Sequence, residues 1–257
     1  MFNLAILQAR MGSKRLPNKV LREVNGKPLL EYEYSRIMDS QQINKIIIAT
    51  STLDNDNPIE GFAKKRRIEI FRGSPENVLD RYYECAKHFR ENNSVEELNI
   101  VRITGDCPLI DPVVIDEIIT SYLRMGVDYA SNTLTPTYPD GMDIEIFSFD
   151  ALRNAHKLAK YPSDKEHVTL FIKNSDMFTK YNHEAESDFS HFRLTVDEEN
   201  DFKLIKAILE YYGPRGEKYT YLDIISMMTK NPDLLTINST ISRDEGLQKS
   251  LKMDGRI

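Results

Sequence analysis

Lys45-Ile46-Ile47-Ile48-Ala49-Thr50 is a near-continuous run of apolar, largely β-branched residues, the pattern of a central strand covered on both faces. Three more runs read as strands: Asn3 to Leu7, Ile68 to Phe71 and Leu98 to Ile103. Helical spacing fills the intervals between them. Leu29, Leu30, Tyr34 and Ile37 share one face after Pro28, and a second short helix starts at Pro58. Val78, Tyr82, Cys85, Ala86 and Phe89 share the face of a third helix between Pro75 and Phe89. Regular alternation of strand and helix predicts an α/β chain with a mostly parallel central sheet and helices on both faces.

The second half is read more coarsely. Asp111-Pro112 starts a helix with Val114, Ile115, Ile118, Ile119 and Tyr122 on its core side, and Asp128 to Ser131 reads as a short strand. Asn132 to Pro139 is polar and proline-punctuated, as in a surface excursion. Pro139 to Phe147 shows strand alternation, with Asp143 and Glu145 on one face and Met142, Ile144 and Ile146 on the other. Helices are expected over Ser148 to Lys160 and Ser163 to Lys173, the second with Glu166 and His167 in its first turns. A late strand, Phe192 to Val196, delivers Asp197, and helices follow over Glu198 to Tyr212 and Tyr219 to Thr229. The expected organisation is one domain over 1–230, with an excursion at about 128–191, and an irregular tail over 231–257.

Composition removes several function classes. A net charge of −6 over 257 residues argues against a general nucleic-acid binder, which usually carries an overall basic face. The two cysteines, Cys85 and Cys107, form no C-x-x-C pair, and the five histidines show no metal-binding spacing. No apolar stretch is long enough to span a bilayer, and the N-terminus lacks a signal-peptide pattern. A protein of the cytoplasm, with no membrane partner, is expected.

Two stretches carry the chemistry. Gln8 to Lys19 follows the first strand and brings Arg10, Lys14, Arg15 and Lys19 together around Gly12. Such a loop can grip a polyphosphate through backbone N–H groups and cations, or can be a solvated basic turn; the Walker A spacing is absent. Thr104-Gly105-Asp106-Cys107-Pro108 ends the fourth strand run, where open α/β sheets place ligands. Asp106 suits a divalent cation bridged to phosphate, or is a turn aspartate beside glycine. Asp143 and Glu145 can bind sugar hydroxyls or form the wet side of an edge strand. Cys85 reads as core, and Cys107, with no paired base, as a loop-packing residue.

Several motifs in order resemble a known family. Ala9-Arg10, Ser13, Arg15-Leu16-Pro17 and Lys19 resemble the A-R-x-x-S-x-R-L-P-x-K signature of the cytidylyltransferases that activate 3-deoxy-2-keto sugar acids. Gly105-Asp106-x-Pro108 is similar to their G-D-x-P metal loop, and Leu194-Thr195-Val196-Asp197 to their L-T-V-D segment. The match is closest to the spore-coat polysaccharide biosynthesis, or SpsF-type, branch. Gly73-Ser74-x-x-Asn77-Val78-Leu79-x-Arg81-Tyr82, Pro139-Asp140-Gly141-x-Asp143-x-Glu145 and Glu166-His167-Val168-Thr169 add to that resemblance. Thr104 stands where the ketoacid-activating enzymes carry glutamine, and Cys107 where they often carry glutamate.

The resemblance implies a Rossmann-like nucleotide-diphospho-sugar transferase fold of the GT-A type, a homodimer, and transfer from CTP to a sugar with Mg²⁺ and release of pyrophosphate. Asp106 and Asp197 would hold the metal, with Arg10, Arg15 and Lys19 neutralising the triphosphate. Gln8, Ala9, Arg10, Met11, Gly12, Ser13, Ser74, Arg81 and Thr104 would line the nucleotide. Asp140, Asp143, Glu145, Glu166 and His167 would face the sugar, within the excursion. Other readings are a different sugar nucleotidyltransferase, a nucleotide-sugar-using glycosyltransferase, or a non-catalytic nucleotide-binding protein. Asp54-Asn55-Asp56 has the D-x-D spacing of a glycosyltransferase metal motif, but lies early, in an ordinary loop.

Overall fold

The computed structural model describes residues 1–213 and 218–256. Its first half winds β1 (Phe2–Gln8), α1 (Leu29–Met38), β4 (Lys45–Ser51), α2 (Asn57–Arg66), β5 (Glu69–Gly73), α3 (Val78–Asn93) and β6 (Leu98–Thr104). A two-stranded hairpin, β2 (Glu23–Val24) and β3 (Lys27–Pro28), precedes α1. With β7 (Tyr129–Ser131), β8 (Glu145–Ser148) and β9 (Lys180–Asn182), the main sheet has the order β5-β4-β1-β6-β8-β7-β9, and β5, β4, β1 and β6 are parallel. β8 pairs antiparallel with both β6 and β7, and β9 closes the edge parallel to β7.

Alternate side chains of each central strand feed opposite cores. Leu4, Ile6 and Ile100 pack with Tyr82 of α3 and Leu152 of α5 (Phe149–Leu158). Ala5, Leu7, Ile48 and Ile103 pack with α1, with α4 (Pro112–Met125) and with Leu204 and Ile208 of α8 (Glu199–Tyr212). Burial on both faces is why these strands read as unbroken apolar runs. The chain moves from β1 outward to β4 and β5, then α3 carries it back to set β6 on the other side of β1. Strand order therefore reverses between β1 and β6, whose last residues, Gln8 and Thr104, are register partners. Crevices at the carboxyl ends of such switch points are the usual ligand sites of open α/β sheets.

The later expectations need correction. Phe192 to Val196 is not a ladder strand; it runs extended between two loops, with Arg193 in an isolated bridge to Asp140. Its backbone is held instead by Leu194 N–H to Asp140 O at 2.6 Å and Val196 N–H to Asp106 O at 2.8 Å. The alternating segment becomes strand only at Glu145, so Asp143 and Glu145 do not share a strand face. The expected helix over Ser163 to Lys173 is two short ones, α6 (Pro162–Glu166) and α7 (Leu170–Asn174), separated where Val168 adopts φ 54°. The expected irregular tail is also partly helical. After α9 (Tyr221–Lys230) come α10 (Pro232–Thr236) and α11 (Glu245–Met253); residue 257 lies outside the described residues.

Candidate active site

The basic loop is shaped by contacts that bring its last cation back toward the sheet. Ala9 N–H reaches Ala49 O at 3.1 Å as the chain leaves β1. Buried Asp56 then accepts the Met11 N–H at 2.7 Å, the Ser51 N–H at 3.2 Å and the Ser51 hydroxyl. The N–H groups of Ser13 and Asn18 both converge on Met11 O, while Leu16 and Val20 anchor the loop in the core. Asn18 takes the left-handed conformation, φ 59°, immediately before Lys19. Arg10, Lys14 and Arg15 stay at the surface and Lys19 turns inward. Across the switch point, Gly105 N–H donates to Gln8 O at 2.7 Å. A Cβ on Gly105 would lie 2.9 Å from that oxygen, so close approach of the two loops requires glycine here.

Lys19 is the hub. Its Nζ donates to Asp106 Oδ2, Asp197 Oδ1 and Val196 O, each at 2.8 Å. Burial opposes charge on this ammonium, but Asp106 and Asp197 outweigh it and raise its pKa. Burial also pushes Asp106 upward, and Lys19 reverses that, taking it down to about 2. Asp197 Oδ2 meets Arg15 at 3.0 Å and Arg193 at 3.2 Å. Burial and the neighbouring Asp106 carboxylate push the Cys107 thiol well above its ordinary value, so it is a neutral packing group.

The two carboxylates of the cluster face a cavity of about 680 Å³. Asp140, Asp143, Glu145 and His167 line it, as do Arg15, Thr104, Asp106 and Asp197, while Glu166 does not. Glu145 is buried and bonded to Tyr129 and Thr169 at 2.6 Å, to Lys173 at 2.8 Å and to Arg102. Burial raises its pKa, yet Lys173 and Arg102 hold it well below the usual carboxylate range. Asp140 pairs with Arg193 at 2.6 Å, and burial with the charge of Asp143 still carries it up to about 7. His167 is lowered by burial, against Glu166 and helped by Arg102 and Lys173, and its Nε2 lies 3.0 Å from Ser250 Oγ.

Of the expected nucleotide set, Gln8, Ala9, Arg10, Met11, Gly12 and Ser13 surround the mouth of the switch point, outside that cavity. Arg81 is fully buried and donates twice to the Ser74 carbonyl, at 2.9 and 2.6 Å, shaping the turn before α3. Gln8 Oε1 and Arg81 Nη1 are both buried with no partner among the described residues. Orphaned polar atoms beside a ligand crevice are unfinished hydrogen bonds that a polar ligand can complete. Gly12 is not needed for the loop's own packing, since a Cβ there would meet nothing nearer than Asn55 Nδ2 at 3.6 Å.

Sequence reasoning missed Arg102, Lys173, Arg193, Asp56 and Arg243. Arg102 carried a signal, because a cation inside a strand covered on both faces needs a buried partner. Asp56 was visible only as part of an ordinary loop. Nothing local marked Lys173 or Arg243.

The sheet and its switch-point site are those of the nucleotide-diphospho-sugar transferase fold. A solved cytidylyltransferase from Leptospira borgpetersenii superposes with TM-score 0.83 at 30% identity, covering 91% of this chain and 97% of that one. The cytidylyltransferase family model matches residues 4–222, and the chain belongs to that family. It is 33% identical to the spore coat polysaccharide biosynthesis protein SpsF of Bacillus subtilis, over 91% of this chain and 96% of that protein. It is also 29% identical to the 8-amino-3,8-dideoxy-manno-octulosonate cytidylyltransferase of Shewanella loihica, over 50% of this chain and 51% of that one.

Proposed function

We propose that the protein transfers CMP from CTP to an acidic 2-keto-3-deoxy sugar, releasing pyrophosphate, in surface polysaccharide or glycoconjugate biosynthesis. The single observation that carries this reading is the Lys19–Asp106–Asp197 cluster, set between the basic loop and the 680 Å³ cavity. CTP enters at the switch point, where Gln8 and Arg81 hold unpartnered polar atoms and Arg10, Arg15 and Lys19 supply positive charge. The sugar occupies the cavity. Its hydroxyl oxygen forms the new bond to the α-phosphorus while the bond to the β-phosphate oxygen breaks, and pyrophosphate leaves. Lys19, Arg15 and Arg10 stabilise the charge that moves onto the leaving group. His167, held neutral, is assigned to receive the hydroxyl proton.

The acid-lined cavity suits an anionic acceptor because its carboxylates are already neutralised. Two cations, Arg102 and Lys173, face the one carboxylate of Glu145. Glu145 thus acts by holding those cations in place on the cavity wall, beside the sugar.

Asp106 and Asp197 offer hard oxygen ligands on one ammonium, and the described residues contain no group of three metal-ligating side chains. That donor set fits Mg²⁺, which is commonly held by one or two carboxylates together with substrate phosphates and water. When bound, Mg²⁺ would polarise the α-phosphate and draw acceptor and nucleotide together. A homodimer in the cytoplasm completes the reading; no helix among the described residues is long and apolar enough to cross a membrane.

Thermal shift with CTP, UTP, ATP and GTP, each with and without Mg²⁺, tests the nucleotide assignment. Selective stabilisation by CTP, enhanced by Mg²⁺, is expected. Preference for another nucleotide, or no response to any, would refute it.

A further inference from the structure

The family match ends at residue 222, but the chain returns to the site after that point. Residues Ser242 to Leu247, together with Leu251, form one wall of the cavity. Asn238 anchors this segment by donating to Arg193 O at 3.1 Å and to Asp201 at 2.9 Å, both buried contacts. Beyond that anchor the attachment is polar. No residue of α11 is buried. Glu245 meets Arg15 at 3.3 Å, and Arg256 meets Asp164 at 2.8 Å. The segment therefore spans from the basic loop to the excursion over the cavity.

One side chain of that wall is a guanidinium with donors to spare. Arg193 is shared among Asp140, Asp197 and Asp201, and Arg102 and Lys173 share Glu145. Arg243 donates to Asp143 Oδ1 at 2.5 Å and to Tyr138 O at 3.3 Å, and its other N–H groups have no partner among the described residues. A guanidinium with spare donors lining a cavity can take a carboxylate through two parallel hydrogen bonds. Asp143, left alone, would repel such a ligand.

We propose that Arg243 is a specificity-determining residue for the acceptor, neutralising Asp143 and binding the acceptor's carboxylate, so that the C-terminal segment selects acidic over neutral sugars. This rests on the cytidylyl-transfer reading. The charge selection comes from outside the region that defines the family, so relatives with other C-terminal segments can share the nucleotide chemistry and differ in acceptor.

The test uses the full chain, CTP and 3-deoxy-manno-octulosonate as probe, with a neutral hexose for comparison. Pyrophosphate release is followed for wild type, Arg243→Ala, Arg243→Lys and Lys252→Ala, an exposed tail control; thermal shift with the sugar acid runs beside it. Arg243→Ala should raise KM for the sugar acid by about tenfold or more, the loss expected for a charged hydrogen bond. kcat and the KM for CTP should stay within about twofold, and Arg243→Lys should recover part of the loss because it keeps the charge without the planar fork. Unchanged KM for the sugar acid, with turnover intact, overturns the role of Arg243 and leaves the cytidylyl reading standing. Sugar-acid stabilisation of the wild type that disappears in Arg243→Ala, without pyrophosphate release from any variant, supports the site and refutes the reaction. Neither release nor stabilisation in the wild type overturns both.

Discussion

The Lys19 ammonium stands 2.8 Å from the Asp106 carboxylate, joining the basic loop to the end of β6 across 87 positions of sequence. The same nitrogen holds Asp197, so one lysine keeps two acidic groups at close quarters. Lys19→Met leaves both carboxylates without their shared cation. Removing one partner of a buried ion pair typically costs about 3–5 kcal/mol. Urea denaturation should show a loss near the lower end of that range, and pyrophosphate release should fall by about 100-fold or more. Wild-type stability in this variant would contradict the role given to Lys19.

Asp56 supports the loop from beneath through Met11 and Ser51. Asp56→Ala leaves the Met11 N–H unsatisfied and should cost about 1–3 kcal/mol. The KM for CTP should rise as the loop loses its shape, and Asp56→Asn, which keeps one acceptor oxygen, should recover part of both. An unchanged KM for CTP would show that the loop's form does not depend on this contact.

Two glycines should separate structure from ligand approach. Gly141 has φ 103°, and a Cβ there would lie 2.6 Å from the Leu194 carbonyl carbon, so the two extended segments that frame Asp140 and Arg193 could not pass. Gly141→Ala should lose about 2 kcal/mol or more in denaturation. Gly12→Ala would make only an ordinary van der Waals contact, with Asn55 Nδ2 at 3.6 Å, and should stay within about 0.5 kcal/mol of wild type. Weaker CTP binding by Gly12→Ala would mark the place where the backbone approaches the nucleotide; unchanged binding would remove Gly12 from the nucleotide site.

The site's carboxylates give stability two opposite pH slopes. Asp106, at about 2, and Glu145 bind protons less readily folded than unfolded, because Lys19, Lys173 and Arg102 outweigh burial. Their contribution is complete above about pH 4.5 and declines as pH falls toward 2. Asp140, carried up to about 7 by burial and Asp143, holds its proton in the folded chain after the unfolded chain has released it. Its contribution is complete below about pH 4 and declines as pH rises toward 7. Urea denaturation across this range should find Glu145→Gln flatter on the acid side and Asp140→Asn flatter between about pH 4 and 7. Unchanged slopes in both variants would contradict these assignments.

The central strands were legible because burial on both faces writes an unbroken apolar run, as in Ile46, Ile47 and Ile48. Asp106 was legible because it follows such a strand directly. The segment around Asp197 was legible only through its motif; its backbone is held by Asp140 and Asp106, which no local pattern encodes. The break at Val168 was hidden because helical spacing continues across a residue in a left-handed conformation. Glu145 was placed toward the sugar through its motif, while its alternation alone equally allowed the wet side of an edge strand. Its burial depends on Arg102 and Lys173, one from β6 and one from α7. The tail looked irregular because no residue of α11 is fully buried.

The central claim is best tested by following pyrophosphate release from CTP with 3-deoxy-manno-octulosonate and Mg²⁺ in wild type, Asp106→Asn and Asp197→Asn. Wild type should release pyrophosphate in step with formation of the CMP-sugar, and each substitution should slow release by about 100-fold or more. Full-rate release by both variants would contradict the account.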